Sequence, residues 1–413
     1  MRIFIWHGYL LGGTGSNIYT RQLARELSNA GHEVTVFSQE PRPEDFDLGG
    51  AATVRPDVGG LLPVFVLDRY EGYDVRRVQD WSRAELDTWV EANAAALRDH
   101  GTADLVYVNH VLLGGAVGAA TGGPYIVKAH GSELEYSMRG NAELSAWGGE
   151  VLARAVATVV GSEHIREVVR DVCGTLDGVH EIPPGVDVDL WRPAPKDQAL
   201  DALVAEARSD PPNPANAEER LPDDANAERL APFLAGDRHT VVYYGKLMEN
   251  KGVQVLLDAL RGLDARAVIV GFGDYRAELE RRADGLDVLF TGPLEHRHLV
   301  HLLALADAAV VPSIFPEAFG MVAAEAAAAG CPPIVANHSG LAEIARGLEE
   351  EYPAGRAGLA SFPTGDAGAL RERLTAVLAL QGEDRDALRA AARRAVVERW
   401  SWSSVAERIA ALA

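Results

Sequence analysis

Lysine is nearly absent from this chain. Only four stand among 413 residues, and the formal net charge is −21. So acidic a protein lacks the clustered cations that nucleic acid requires and the basic patch that holds a protein to anionic lipid. Cysteine is scarce as well. Cys173 and Cys331 lie far apart with no metal-ligand spacing, so buried, reduced thiols in a cytoplasmic protein are expected. No apolar run suits a membrane span, since residues 111–127 are broken by glycines and a proline. The opening Met1-Arg-Ile-Phe-Ile-Trp-His-Gly is too short in apolar residues for a signal peptide and reads as a buried first strand.

What is present is length and apolar content. Two domains are expected at this size, and 47% apolar residues suffice for a core in each. Short apolar runs alternate with helical periodicity, which implies mostly parallel sheets covered on both faces. The first half predicts strands over 2–6, 33–38, 105–109, 125–128, 157–161 and 179–182. A helix over 16–30 ends at Gly31. Another spans 82–99, with Ser82 and Glu85 spaced as a capping box. The second half predicts strands over 240–244, 267–270, 288–291, 308–311 and 333–336. Pro183-Pro-Gly-Val-Asp between the halves reads as a stiff hinge. Residues 196–236 are rich in Pro, Asn and acid, and read as an exposed insertion, helical over 198–208, that serves as a solvated spacer. In the tail, Trp400 and Trp402 are expected to pack a last short helix onto a domain.

Chemistry concentrates where strands run into helices. In Pro312-Ser-Ile-Phe-Pro-Glu-Ala-Phe-Gly-Met-Val-Ala-Ala-Glu, seven residues separate Glu317 from Glu325. As helix that spacing rises roughly 12 Å, so the two carboxylates address opposite ends of one extended ligand. Free N–H groups at the helix start between them suit an anion. Lys246 and Lys251 straddle another strand-to-helix loop and favour an anion over bulk solvent, in a chain with so few lysines. The loop Gly12-Gly-Thr-Gly-Ser-Asn fits either a phosphate cradle or a plain tight turn, and it lacks the dinucleotide fingerprint. Gly271-Phe-Gly273 fails the same test at Arg276. His130 ends a strand and faces either a crevice or its own cap. Asp187-Val-Asp189 lies in the hinge, and His296, His298 and His301 open an amphipathic helix. Both are read as structural or solvated groups, so no metal site is expected.

As an ordered set these residues resemble the retaining GT-B glycosyltransferases of family 4. The match runs through the Gly12-Gly13 loop, His130-Gly131, Ile182-Pro-Pro-Gly-Val-Asp, Gly245-Lys246 with Lys251-Gly252, Gly271-Phe-Gly, and Pro312-Ser with Glu317 and Glu325. The resemblance implies an α/β fold of two Rossmann-like domains facing across a cleft. Residues 1–187 would form the acceptor side, with 400–413 crossing back to it. Residues 188–236 would be hinge and insertion, and 237–399 would bind the nucleotide-sugar. It also implies roles. Gly13 would approach the diphosphate, and Lys246 and Lys251 would neutralise it. His130 and Glu317 would hold the sugar, and Glu325 the ribose diol. Backbone at Phe319, Gly320, Met321 and Val322, with Gly271, would complete the donor site, and Leu294 would meet the base. Two positions depart from the family pattern. Lys246 replaces the usual arginine and loses its fork, and Ser339-Gly340-Leu-Ala-Glu343 replaces Gly-Gly-x-x-Glu.

The implied reaction moves a hexosyl group from a UDP- or GDP-sugar to a hydroxyl of a saccharide or small metabolite. It proceeds with retention, by front-face attack, and without metal or resident cofactor. Tyr19, Tyr136, Arg139, Asn141 and Trp147 fall where an acceptor is expected. Two rival readings share the same residues: a GT-B sugar-nucleotide epimerase and a catalytically silent nucleotide-sugar-binding subunit.

Overall fold

Strand β1 (Arg2–Trp6) shows why the first half folds as it does. Its four apolar residues are all buried, Phe4 and Trp6 into one core cluster and Ile3 and Ile5 into another. A period of two sends alternate side chains to opposite faces, so such a run needs cover on both. In the computed structural model, which describes residues 1–12, 14–65, 72–213 and 221–413, that cover is present. The other strands of this half are β2 (Glu33–Phe37), β3 (Ala52–Val54), β4 (Leu61–Val64), β5 (Asp74–Arg77), β6 (Leu105–Asn109), β7 (Tyr125–Lys128), β8 (Ala157–Val160) and β9 (Val179–Glu181). Seven form one parallel sheet in the order β3-β2-β1-β6-β7-β8-β9, and β4 pairs with β5 apart from it. The chain turns from one side of β1 to the other at β6. That reversal is the place where open α/β sheets take ligands, beyond their carboxyl ends.

The second half has β10 (His239–Tyr244), β11 (Ala265–Val270), β12 (Val288–Phe290), β13 (Ala308–Val311), β14 (Pro333–Ala336) and β15 (Ser361–Phe362). They form a second parallel sheet, β12-β11-β10-β13-β14-β15, with its own reversal between β10 and β13. The chain divides into two compact units: residues 1–185 with 402–413, and residues 186–401.

The two tryptophans of the tail part company at this boundary. Trp400 stays in the second unit, edge-on to Phe319 at 5.8 Å. Trp402 opens helix Trp402–Ala410, which packs on helix Gly15–Asn29 of the first unit, with Tyr19 and Trp402 at 5.2 Å.

The expected solvated spacer is a correction. Helices Lys196–Arg208 and Asn226–Leu234 bury Leu203, Val204, Leu230 and Leu234 in the core of the second unit. Two acids of the segment are anchors rather than solvated charges. Asp223 accepts from both terminal nitrogens of Arg276 at 2.8 and 2.6 Å, and Asp210 lies 3.0 Å from His298. His298 is therefore buried, not a solvated helix-start residue. His296 stacks edge-on to Trp191 at 5.1 Å, and Asp187 caps the turn after the hinge by accepting from Asp189 and Leu190 N–H. Among the described residues no group of three metal-ligating side chains forms, and no helix is long and apolar enough to cross a membrane.

Candidate functional site

The carboxyl edge of the second sheet is built from interlocked loops. Leu247 N–H donates to Phe272 O at 2.7 Å, Gly271 N–H to Gly292 O at 2.9 Å, and Ile314 N–H to Asn250 O at 2.9 Å. A Cβ on Gly271 would lie 1.8 Å from Gly245 O, and one on Gly252 1.9 Å from Pro312 O. Both residues also have positive φ, so only glycine fits. Gly271 is thus explained by loop-on-loop packing. Leu294 lies partly buried in the next loop, which Asp223 N–H and the Asn226 side chain hold by donating to Thr291 O, each at 2.8 Å.

Onto this edge the fold brings four of the singled-out side chains. Lys251 Nζ meets Glu317 Oε1 at 2.5 Å, with both side chains about three-quarters buried. Lys246 is exposed, and its ammonium has no partner among the described residues. The two lysines therefore differ: one charge is compensated by a carboxylate and the other is open. Glu317 and Glu325 do not share a helix. Helix Met321–Ala328 begins after Gly320, whose φ of +105° and missing side chain leave the Met321 and Val322 N–H groups without a side-chain cap. The helix start expected between the two carboxylates is present, and the helical rise expected over their whole spacing is corrected to loop followed by helix. Gly320, in its left-handed conformation, also stops the helix from reaching back to Glu317. Phe319 is buried against Trp400, and Met321 and Val322 open the helix.

Glu325 lies one turn into that helix. Tyr244 Oη donates to Val322 O at 2.7 Å, which leaves its oxygen 3.4 Å from Glu325 Oε2. Burial raises the Glu325 carboxyl to about 8, opposed by the Tyr244 contact. Near neutral pH the carboxyl is substantially protonated. Nothing in the local sequence pattern pointed to Tyr244, because it ends a buried strand.

The carboxyl edge of the first sheet differs in character. His130 donates from Nε2 to Asn109 Oδ1 at 2.7 Å. The direction is fixed because the Asn109 amide nitrogen donates to Trp6 O and Thr20 Oγ1. His130 Nδ1 is left as an acceptor with no partner among the described residues. Burial, then His110, Lys128 and His7, hold its imidazole well below the ordinary histidine range, so it is neutral. Beneath it Glu133 is fully buried and accepts from His130 N–H at 2.9 Å, Val111 N–H at 3.3 Å and His110 Nδ1 at 3.2 Å. Burial opposes its charge, but His110 and these donors more than offset that and hold it below the usual carboxylate range. Glu133, Asn109 and His110 escaped the sequence reading. The only signal was a carboxylate three residues after His130. Gly13 lies outside the described residues, and beside it Asn17 Nδ2 donates to Gly12 O.

Of the expected acceptor contacts, those of Tyr19 and Trp147 are corrected. Tyr19 is buried with its hydroxyl 2.7 Å from that of Tyr107, and Trp147 is buried under Arg83. Asn141 caps helix Ala142–Arg154, and Arg139 is paired with Glu135. Aromatic rings near a ligand loop were needed for the core instead. Tyr136 alone of the five is both exposed and uncommitted.

Comparison with known proteins follows the same division. Residues 13–190 match the family described as Glycosyltransferase Family 4, and residues 225–395 match Glycosyl transferases group 1. The chain is 28% identical over 357 residues to the D-inositol 3-phosphate glycosyltransferase of Xylanimonas cellulosilytica, covering 80% of this chain and 77% of that one. Over a shorter stretch of 110 residues it is 44% identical to a GDP-mannose-dependent alpha-(1-6)-phosphatidylinositol dimannoside mannosyltransferase of Mycobacterium tuberculosis, covering 25% and 29% of the two chains. Among solved structures, Anabaena HepE in complex with UDP-glucose matches with a TM-score of 0.67 at 17% identity over 100% of this chain and 99% of that one. Sucrose-phosphate synthase from Thermosynechococcus elongatus matches with a TM-score of 0.62 at 22% identity, over 100% and 98%. These last two likenesses speak to the fold.

Proposed function

Because the chain belongs to the GT-B glycosyltransferases of family 4, we propose that it transfers a hexosyl group from a nucleotide-diphosphate sugar to a hydroxyl, with retention and without a metal. The observation that carries this reading is the second sheet's carboxyl edge. An open ammonium (Lys246), a compensated ion pair (Lys251 with Glu317) and an uncapped helix start at Met321 are gathered there, with Glu325 farther along the same helix.

In the reaction the bond from the anomeric carbon to the diphosphate oxygen breaks, and its electron pair stays on that oxygen. The acceptor oxygen bonds to the same face of the carbon, and its proton passes to the departing phosphate. Negative charge therefore grows on the diphosphate. Lys246 and the first-turn N–H groups supply fixed positive potential for it. Because these groups carry the role of a divalent cation, the proposal needs none. Lys251 holds the Glu317 carboxylate in place to accept from sugar hydroxyls. Glu325 accepts from the ribose diol once it has lost its proton. In the first unit, His130 offers Nδ1 to a hydroxyl. The nucleotide-sugar is a co-substrate, and no resident cofactor enters.

The named relatives act on inositol phosphate and on GDP-mannose, which makes a polyol or saccharide hydroxyl the acceptor to try first. The test incubates the protein with UDP-glucose, UDP-GlcNAc or GDP-mannose and a panel of inositol phosphates and oligosaccharides, in the presence of EDTA. Product anomers are read by NMR. Release of nucleotide with an α-linked product from an α-donor supports the proposal. Inverted product, EDTA-sensitive turnover, or isomerised UDP-GlcNAc without transfer would each refute it.

A further inference from the structure

Ser339 departs from the family pattern, and its surroundings give the departure a purpose. Ser339 is one of four described non-glycine residues with positive φ, at +47°. A side chain there is strained, so something must offset it. Its Oγ lies 2.9 Å from Glu317 N and 3.0 Å from His338 Nδ1, and His338 Nε2 lies 2.7 Å from Ser313 O. For a neutral His338 imidazole, the ends of this chain fix every proton. The Glu317 amide can only donate and the Ser313 carbonyl can only accept. Glu317 N–H therefore donates to Ser339 Oγ, whose hydroxyl donates to His338 Nδ1, and His338 Nε2–H donates to Ser313 O. Both ends lie on one loop, four residues apart, so the two side chains staple that loop into a closed circuit. Gly340 N–H adds a bond to Glu317 O at 3.0 Å. The backbone of residues 318 and 319 approaches Gly340 so closely that a Cβ there would lie 2.6 Å from Phe319 Cα.

We propose that Ser339, acting with His338, is a positioning residue that fixes the Glu317 carboxylate for the donor sugar. Glu317 is held from two sides, its carboxylate by Lys251 and its backbone by Ser339. A glycine at 339 would relieve the strained φ but leave the Glu317 amide without its acceptor and the loop pinned at one end only. This positioning role rests on the reading of Glu317 as a ligand of sugar hydroxyls.

The experiment is calorimetric titration of UDP-glucose and GDP-mannose, each beside bare UDP and GDP, into wild type, Ser339→Gly, His338→Ala and Glu317→Ala. Wild type should bind at least one sugar nucleotide more tightly than its bare nucleotide. Ser339→Gly should lose about tenfold on that sugar nucleotide, the scale of one bond to a charged site's support, with bare-nucleotide affinity unchanged. His338→Ala should lose less, in the same direction. Ser339→Gly, relieved of its strain, should melt no lower than wild type, so misfolding cannot mimic the result. Equal losses for sugar and bare nucleotide, or wild-type binding by Ser339→Gly while Glu317→Ala is impaired, would overturn the positioning role and leave the broader reading intact. Unimpaired binding by Glu317→Ala, or a wild type that gains nothing from the sugar, would remove both.

Discussion

The two sheet edges solve different problems with different residues. In the first unit the candidate groups are interlocked, buried or part-buried and, at His130, uncharged, and a single carboxylate, Glu133, ties three donors together. In the second unit they are charged and part-exposed, on loops that pack backbone against backbone. A neutral imidazole can order a sugar hydroxyl but does little for a diphosphate. An open lysine beside a helix start does the reverse. The contrast teaches that the first edge encloses its charge, Glu133, while the second leaves Lys246 open.

The sharpest way to break the contrast is to remove Glu133. Glu133→Ala would leave His110 and two buried amides without an acceptor, at a cost of about 3–5 kcal/mol, and calorimetry should show the first unit melting well ahead of the second. A single unshifted transition would mean that the network is not what holds that edge.

Next in size are Lys246→Ala, Lys251→Ala and Glu317→Ala, each expected to lower turnover at least about tenfold with melting unchanged. Lys246→Ala should act mainly on kcat, since its charge is free for the departing diphosphate. Lys251→Ala should also raise KM for the donor by releasing Glu317. Steady-state kinetics with a donor that turns over separates the two, and identical profiles would erase the distinction drawn between the lysines.

The smallest effects concern pH, and they should run in opposite directions in the two units. Glu325 titrates at about 8 when folded, against an ordinary 4.5. Below pH 4.5 it is protonated in both states and costs nothing; the second unit loses stability as pH rises through 8. Lys128 of the first unit is lowered by burial from 10.5 to about 7. Above pH 10.5 it is neutral in both states, and the first unit loses stability as pH falls through 7. Glu325→Gln should therefore stabilise most at pH 9 and Lys128→Met most at pH 6, by a few degrees in melting temperature. Scanning both variants from pH 5 to 9 checks the crossing, and parallel slopes would count against it.

The strands were legible because burial on both faces writes an unbroken apolar run, as in Val241-Val-Tyr-Tyr or Ala308-Ala-Val-Val. The short pair Leu61–Val64 and Asp74–Arg77 was not, since Asp74-Val-Arg-Arg carries charge and makes no run. The segment 196–236 misled for a related reason. Asp210 and Asp223 look like surface acids until the fold brings Arg297, His298 and Arg276 to them across wide sequence separations. Glu317 and Lys251 were readable as types at a strand-to-helix loop, but their pairing spans two loops and had no local sign. Tyr19 and Trp147 were misjudged because an aromatic ring at a loop serves the core as readily as a ligand.

The helix at Trp402–Ala410 has a consequence for how the protein is made. Val405, Ala406 and Ile409 share a core cluster with Ile3, Tyr19 and Leu23, while Val186–Ser401 belongs to the other unit. During synthesis the first unit must wait, with one flank of its sheet unroofed, until the whole of the second has left the ribosome. Severing the chain at Gly185 would therefore yield a fragment with an exposed apolar face, which a peptide carrying the missing helix should rescue when added in trans.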